Sequence, residues 1–372
     1  MSEARCILVA AGGTGGHLFP ASALAAALGR RGAAIELATD DRALEYGGDF
    51  PARAIHAIPS ATTTGAGALN KARAALVLAG GLASALLLIG RLQPRAVVGF
   101  GGYPTVPPLT AAWMLGLPSV LHEQNAVMGR ANRFLAPRVS LIATGFPELK
   151  GVDSALGAKA HYTGNPVRAA VIAAAATPYP EFYGRRLKVL VTGGSQGARV
   201  MADIAPAAFA LLTADERARI RLTMQARGED KARVAAACAR MGFPVELAEF
   251  FADLPARIAA SHLVVGRAGA STVSELTVIG RPSILVPFPH ALDQDQAANA
   301  AALGASGAAT VVPQTQFTPE RLARLLRAAL NDPVSLAAAA RAAKAAGVPD
   351  AAERLADLVI RIARPAPQNA KQ

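Results

Sequence analysis

Residues 7–17 read ILVAAGGTGGH, an apolar run that leads directly into a glycine-rich loop and ends at a histidine. The run Ile7–Ala10 predicts a strand, and the alanine- and leucine-rich stretch Pro20–Arg31 predicts a helix after the loop. A strand that is followed by a glycine loop and a helix is typical of α/β proteins with a parallel sheet.

The alternation of predicted strands and helices continues along the chain, and a second strand with a glycine loop begins half a chain later. Residues 187–197, LKVLVTGGSQG, repeat the succession of strand and glycine loop. In the first half, the further predicted strands are Ala34–Ala38, Ala96–Gly99 and Ser119–His122. In the second half, the predicted elements are the helix Ala198–Leu212 and the strands Lys188–Val191, Arg219–Met224, Val245–Ala248, His262–Val265 and Ser283–Val286. The sequence therefore predicts an α/β protein with two Rossmann-like domains, each with a doubly wound parallel sheet.

The domain boundary is predicted from length and from one break in the pattern. A chain of 372 residues is long enough for two domains of ordinary size. Asn165-Pro166 interrupts regular structure between the two halves. We therefore expect an N-terminal domain over residues 1–165 and a C-terminal domain over residues 166–349, with a helix at about 350–365 that could pack back on the N-terminal domain.

Composition and charge narrow the class of protein. Apolar residues make up 52% of the chain and aromatic residues only 5%, which favours close-packed helices over an aromatic binding surface. The formal net charge of +12 attracts nucleic acid, anionic lipid or phosphorylated substrates. No long basic run with interleaved aromatic residues occurs, so we expect no nucleic-acid partner. Cys6 and Cys238 are expected to be free thiols in a reducing cytosol, and the N-terminus lacks the pattern of a signal peptide.

One apolar stretch, Ala74–Gly90, contains no charged residue and is bordered by Lys71, Arg73 and Arg91. It is short for a membrane-spanning helix, which needs about 20 apolar residues, and Gly80-Gly81 interrupts it. Two interpretations stay open: a core helix, or an interfacial helix with a basic border.

The first glycine loop, Gly12–Gly16, lies at the start of a helix, where backbone N–H groups can approach a phosphate or a sugar. It fits neither the dinucleotide fingerprint nor the Walker loop. The alternative is a tight turn without a ligand. His17 follows the loop and is a candidate general base, because imidazole titrates near neutral pH and a helix N-terminus favours its neutral form. The alternative for His17 is a packing or capping role.

The second half carries three candidate donor-binding motifs. The loop Gly193–Gly197 offers amides and the Ser195 hydroxyl to a diphosphate, or is a structural turn. In residues 267–275, RAGASTVSE, either Thr272 and Glu275 form a capping box, or Glu275 binds ribose hydroxyls beside a phosphate at the helix start. Asp293 and Gln296 have the same ambiguity between a helix cap and a binding role.

A further polar run, His122-Glu123-Gln124-Asn125, comes directly after a predicted strand. Strand ends in parallel sheets face the ligand crevice, so this density of hydrogen-bonding side chains favours a site over a simple polar loop.

Taken in order, these motifs resemble the MurG family of peptidoglycan N-acetylglucosaminyltransferases, which convert lipid I to lipid II. The resemblance covers nearly the whole chain. The matching segments are 12–17, 101–103, 122–125, 164–168, 193–199, 272–275, 293–299 and 348–351.

The resemblance implies a glycosyltransferase B-type fold with the active site in the interdomain cleft. The donor would be UDP-N-acetylglucosamine, and the acceptor would be undecaprenyl-diphosphate-linked N-acetylmuramoyl-pentapeptide. It implies these donor contacts: Thr14, Gly15, Gly16, Asn125, Arg168, Ser195, Phe251, Ala270, Ser271, Thr272, Val273, Ser274, Glu275 and Gln296. Phe251 is expected to contact the donor through its backbone, because the family often has another apolar residue there.

The implied reaction is an inverting single displacement by the muramoyl C4 hydroxyl, with His17 as the base and Glu123 as the alternative. We expect neither a metal nor another cofactor. The implied location is the cytoplasmic face of the inner membrane, on an anionic surface and with protein partners from cell-wall synthesis. Three rivals stay open: a transferase acting on diacylglycerol, a UDP-N-acetylglucosamine 2-epimerase, and a non-enzymatic nucleotide-sugar sensor.

Overall fold

The computed structural model describes residues 6–12, 15–40, 50–60, 68–182, 186–194, 197–289 and 294–365, without the side chains of 68–71. The chain divides into two compact units. Unit 1 contains the described residues up to Arg168 and those from Pro349 onward, and unit 2 contains Ala169–Val348.

Within the described part of unit 1, seven parallel strands form a sheet in the order β3-β2-β1-β4-β5-β6-β7. The strands are β1 Ile7–Ala10, β2 Ile35–Thr39, β3 Ala54–Ala57, β4 Ala96–Gly99, β5 Ser119–Glu123, β6 Leu141–Thr144 and β7 Ala160–Tyr162. The strand order reverses between β1 and β4, which defines the switch point where such sheets bind ligands.

The helices of unit 1 cover both faces of its sheet. Their bounds are Gly15–Arg30, Ala68–Leu92, Val106–Met114, Arg130–Leu135, Ser154–Gly157 and Ala351–Ile362, with short 3₁₀ turns at Tyr103–Thr105 and Ala136–Arg138. Leu355 and Val359 of the last helix are buried in the same core as Leu24. Glu353 adds ion pairs to Arg30 and Arg31 at 2.5 and 2.7 Å.

In the described part of unit 2, six parallel strands follow the order β10-β9-β8-β11-β12-β13. The strands are β8 Leu187–Thr192, β9 Ile220–Gln225, β10 Val245–Ala248, β11 Leu263–Gly266, β12 Ser283–Leu285 and β13 Ala309–Val311. The helices are Ala169–Ala174, Arg199–Ala210, Ala214–Ala218, Gly228–Arg240, Leu254–Ala260, Ala270–Ile279, Asp295–Ala305, Pro319–Asn331 and Pro333–Ala346, with a 3₁₀ turn at Gln314–Gln316. Two doubly wound α/β units are thus present, as the sequence predicts.

The division between the units falls slightly later than the expected boundary at residue 165. Val167 is buried, and the Arg168 guanidinium lies 4.5 Å above the Phe19 ring of unit 1. These contacts hold the segment after Asn165-Pro166 on unit 1.

The apolar stretch Ala74–Gly90 lies inside the single helix Ala68–Leu92. A side chain at Gly81 would meet the Pro59 carbonyl oxygen at 2.1 Å, so this glycine permits a close approach rather than a break. Ala85 and Ile89 are buried in the core, whereas Leu76 and Leu87 are 74% and 76% exposed. One side of the helix is core and the other is an exposed apolar surface.

Candidate active site

In unit 1, the polar candidates meet at the switch point of the sheet, where β1, β4 and β5 end. His17 is the third residue of the helix Gly15–Arg30, which therefore begins earlier than the predicted Pro20. Its imidazole Nδ1 lies 2.8 Å from the Phe100 carbonyl oxygen, just after β4. Gln124 Nε2, just after β5, donates to the same oxygen at 3.1 Å. One carbonyl thus connects the ends of the three strands.

This geometry assigns the tautomer of His17. A carbonyl oxygen only accepts, so Nδ1 carries the proton and Nε2 is left as the acceptor of the neutral ring. Nε2 lies beside Gly102, where an added Cβ would be 3.5 Å from it. Gly101 and Gly102 have φ of 83° and 74°, a conformation that side chains disfavour, so the loop passes close to the ring without crowding it.

Burial lowers the pKa of His17, and the Phe100 carbonyl and the charge of Asp40 act weakly in the opposite direction. The ring is therefore neutral at pH 7. The sequence predicts a neutral ring because of the helix N-terminus. The structure adds burial as a further cause.

Glu123 differs from His17, because hydrogen-bond donors surround its buried carboxylate. Its Oε1 accepts from Asn125 N at 2.9 Å. Its Oε2 accepts from Gly129 N at 3.0 Å and from Asn132 Nδ2 at 2.7 Å. Burial raises the pKa of Glu123, and these donors oppose the rise. The side chain organises the loop after β5 and does not present a free oxygen as His17 presents Nε2.

The polar run His122-Glu123-Gln124-Asn125 begins inside β5, and its other members are partly buried and partly exposed. His122 is buried, its Nε2 lies 3.2 Å from the Gly164 carbonyl oxygen, and burial lowers its pKa to about 4. Its ring contacts Phe100, with centroids 5.2 Å apart. Asn125 is partly exposed, so in this run it is the side chain best placed to reach a ligand.

Arg168 lies in unit 1 beside the first glycine loop. Its guanidinium packs on Phe19, and the same ring lies 3.0 Å from the position that a Cβ of Gly15 would take. The structure therefore brings together three predicted residues, Gly15, Gly16 and Arg168, at the start of one helix. Thr14 lies outside the described residues.

In unit 2, the glycine loop after β8 needs its glycines for backbone reasons. A Cβ at Gly193 would meet Ala198 N at 2.1 Å, and Gly194 and Gly197 have φ of 83° and 66°. Gly193 therefore allows the close approach of Ala198 at the carboxyl end of the sheet. Ser195 lies outside the described residues.

Of the two interpretations of Thr272 and Glu275, the structure excludes the capping box. The helix Ala270–Ile279 has Gly269 as its N-cap, without a side-chain hydrogen bond, so Thr272 is already inside the helix. The first-turn amides of a helix have no acceptor within it, and a cap without a side chain leaves room for an anion there. Glu275 is buried in the second turn.

Of the remaining donor candidates of unit 2, Gln296 lies beside this helix start. Gln296 Oε1 accepts from Ala268 N at 3.3 Å and from Phe288 N at 3.1 Å, so it joins two loops. Phe251 is buried, with the Arg257 guanidinium 4.2 Å from its ring centroid. The N-cap of the helix that carries Gln296 is Gln294 with φ 50°, and the cap role considered for Asp293 lies outside the described residues. The remaining predicted positions, Ala270, Ser271, Thr272, Val273 and Ser274, form the first turns of the helix Ala270–Ile279.

Among the described residues, no group of three or more His, Cys, Asp or Glu side chains could hold a metal ion. In the same part of the chain, one helical segment, Ala72–Leu92, is long and apolar enough to cross a bilayer by length and composition. A core helix passes the same test, so this observation alone is weak evidence for a membrane span.

The comparisons with known proteins agree with this fold. Residues 7–144 match the glycosyltransferase family 28 N-terminal domain, and residues 188–355 match the glycosyltransferase family 28 C-terminal domain. Two Rossmann-like units with these domains define a glycosyltransferase of the B-type class, and the protein is an enzyme. The chain belongs to glycosyltransferase family 28.

Relatives and a solved structure confirm the resemblance to the MurG family. A Methylobacterium sp. (strain 4-46) protein is 59% identical over 96% of each chain. A Bradyrhizobium diazoefficiens protein is 54% identical over 98% of this chain and 100% of its own. Both are named UDP-N-acetylglucosamine--N-acetylmuramyl-(pentapeptide) pyrophosphoryl-undecaprenol N-acetylglucosamine transferase. The crystal structure of Acinetobacter baumannii MurG is similar with a TM-score of 0.78 and 27% identity, over 96% of this chain and 99% of that one.

Proposed function

We propose that this enzyme transfers N-acetylglucosamine from UDP-N-acetylglucosamine to undecaprenyl-diphosphate-linked N-acetylmuramoyl-pentapeptide, a step of peptidoglycan synthesis and so of cell-wall formation. The observation that carries the substrate assignment is the 59% identity, over 96% of each chain, to a relative named for that reaction. The geometry at His17 supports its role as the base, because the contact of Nδ1 with the Phe100 carbonyl leaves Nε2 able to accept a proton.

The proposed chemistry is one displacement with inversion. The C4 hydroxyl of the muramoyl sugar attacks the anomeric carbon of N-acetylglucosamine, on the face opposite UDP. The bond from that carbon to the diphosphate oxygen breaks, and its electron pair leaves with UDP. His17 Nε2 takes the hydroxyl proton, since Nδ1 is committed to Phe100. Glu123 supports the reaction by holding the loop that carries Asn125.

Donor binding is assigned mainly to unit 2. The amides of the helix start at Ala270–Thr272 and the Ser195 hydroxyl of the second glycine loop would bind the diphosphate. The amides of Gly193 and Gly194 are not among these contacts, because they donate to Gln225 and Thr192. Glu275, one turn further, would accept hydrogen bonds from the ribose hydroxyls. Gln296 has its Oε1 engaged with two amides, which leaves its Nε2 to contact the donor.

The remaining donor contacts would come from Phe251 and from residues of unit 1. Phe251 would contact the donor through its backbone, because its side chain is buried under Arg257. In unit 1, Asn125, Arg168 and the first glycine loop with Thr14, Gly15 and Gly16 would contact the sugar and phosphate end. The amides of this loop and the Arg168 guanidinium would stabilise the leaving diphosphate, without a metal ion or another cofactor.

We also propose that unit 1 associates peripherally with the anionic cytoplasmic surface of the inner membrane, where its lipid-linked acceptor and cell-wall synthesis partners reside. The exposed apolar side chains of unit 1 support this location: Leu76 is 74%, Leu87 76% and Trp113 52% exposed. Arg138 lies over the rings of Trp113 and Phe134, so cationic and apolar groups share this surface. Such a combination is typical of proteins that bind anionic bilayers.

A transfer assay with labelled UDP-N-acetylglucosamine tests the proposed function. Label should move to a lipid I analogue and not to diacylglycerol, and UDP should be released only when the acceptor is present. Label on diacylglycerol would favour the lipid-glycosyltransferase rival. Conversion of the donor without an acceptor would favour an epimerase, and binding without turnover would favour a sensor.

A further inference from the structure

The side chain of Gln225 makes four hydrogen bonds, three of them to the end of β8 and the start of the loop that follows it. Gln225 is the last residue of β9 and is buried. Its Oε1 accepts from Thr192 Oγ1 at 2.8 Å and from Gly193 N at 3.2 Å. Its Nε2 donates to Gly194 O and to Glu249 O, each at 3.1 Å. One side chain thus binds three consecutive residues, where β8 passes into the glycine loop, and also the segment after β10.

The network fixes the backbone direction at the loop entry. Thr192 Oγ1 donates to Gln225 and accepts from Gly194 N at 3.3 Å, so the amides of Gly193 and Gly194 both point into the network. Gly194 has φ of 83°, a conformation that glycine adopts without strain but does not itself specify. Without an acceptor and a donor at position 225, the glycine backbone would sample other conformations, because glycine loses more entropy on ordering than other residues.

We propose that Gln225 is a positioning residue for the donor: it preorganises Thr192, Gly193 and Gly194, where the chain enters the second glycine loop, so that the diphosphate of the UDP-sugar binds at this loop without an ordering cost at its entry. The proposal rests on the assignment of that loop to the donor in the proposed function. Gln225 touches no substrate. It acts through Thr192, Gly193 and Gly194, and it joins the ends of β8, β9 and β10 at the loop.

Two variants remove the network to different degrees. Gln225→Met keeps the length of the side chain and removes all four hydrogen bonds. Thr192→Val keeps the shape of the side chain and removes only the hydroxyl. The matched control is Tyr179→Phe, which loses the hydrogen bond to the His262 carbonyl oxygen at 3.0 Å, at the amino end of the same sheet.

The measurements are UDP affinity by calorimetry, the KM for donor and acceptor, and thermal unfolding of the full chain. Gln225→Met should weaken UDP binding and raise the donor KM about 10-fold, the equivalent of one to two net hydrogen bonds. The acceptor KM should stay within about twofold. Thr192→Val should shift UDP affinity in the same direction by less. The double variant should lose less than the sum of the two, because both residues act in one network.

A merely structural role gives a different pattern. Gln225→Met would then unfold at lower temperature, like Tyr179→Phe, and bind UDP as the wild type does. That result would overturn the proposal. If Gln225→Met does not fold, Thr192→Val carries the test, and unchanged UDP affinity there would equally refute the positioning role. A wild-type protein that binds no UDP would instead refute the donor assignment, and this proposal with it.

Discussion

The variant Glu123→Gln separates two roles of Glu123, that of a general base and that of a residue that holds the loop after β5. It does so because both oxygens of this carboxylate accept hydrogen bonds. Two donors face Oε2, Gly129 N at 3.0 Å and Asn132 Nδ2 at 2.7 Å. The backbone and side-chain nitrogens of Asn125 face Oε1 at 2.9 and 3.5 Å. A glutamine must place its amide NH₂ against one of these pairs, and the two donors of that pair then lose their acceptor.

The expected cost follows from these contacts. Each unsatisfied buried donor costs about 1–3 kcal/mol, so Glu123→Gln should lower the free energy of unfolding by about 2–6 kcal/mol. Urea unfolding of the protein without ligand measures this change. The control Glu148→Gln alters an exposed carboxylate of the same unit and should change stability by no more than about 0.5 kcal/mol.

If Glu123 is the general base, we expect another outcome. Loss of such a group typically lowers the rate by about 10²–10⁴-fold. If Glu123→Gln unfolded within about 1 kcal/mol of the wild type while losing that much activity, Glu123 would be the base. The assignment of the proton to His17 would then be wrong.

Three further predictions concern the donor, pH and the membrane. Glu275→Ala should weaken UDP binding by roughly 10- to 150-fold if Glu275 accepts hydrogen bonds from ribose, and calorimetry showing wild-type affinity would exclude that contact. Burial lowers the pKa of His122 to about 4 from its ordinary value of 6.5. Between pH 4 and pH 6.5 the unfolded chain binds a proton at His122 that the folded chain does not. This group therefore leaves the free energy of unfolding unchanged above pH 6.5 and lowers it by about 3 kcal/mol as the pH drops to 4. His122→Gln should lose correspondingly less stability over that range in urea unfolding, and equal losses would contradict the buried neutral ring. Replacing Lys71, Arg73 and Arg91 with glutamine should weaken binding to anionic vesicles, since each basic residue near such a surface contributes about 1 kcal/mol, and high salt should mimic the change. Flotation that shows equal binding of this variant and the wild type at low salt would refute the docking surface.

The strand–loop–helix starts of both units could be predicted because local sequence alone determines them. An apolar run followed by several glycines has few alternative structures, and Ile7–Ala10 and Ala96–Gly99 have the predicted bounds. The short edge strands β3 and β13 carried no comparable signal, since Ala54–Ala57 is mostly exposed and Ala309–Val311 has only three residues.

Tertiary partners, in contrast, could not be read from sequence spacing. Thr272 and Glu275 have the spacing of a capping box, but the helix begins at Ala270 because Gly269 can serve as its cap. Likewise, a lone glutamine at the end of a strand shows no pattern, although Gln225 binds residues 31 to 33 positions earlier in the chain. The role of Glu123 depends on donors up to nine positions away that fold back around it.

The most direct test of the mechanism compares His17→Ala and His17→Asn in the transfer assay. The asparagine Nδ2 can still donate to the Phe100 carbonyl oxygen, as His17 Nδ1 does at 2.8 Å, but it offers no basic nitrogen. If Nε2 takes the proton of the acceptor hydroxyl, both variants should bind UDP like the wild type and transfer sugar about 10²–10⁴-fold more slowly. Turnover by His17→Asn within a few-fold of the wild type would show that His17 only holds the Phe100 carbonyl, and would contradict its role as the base.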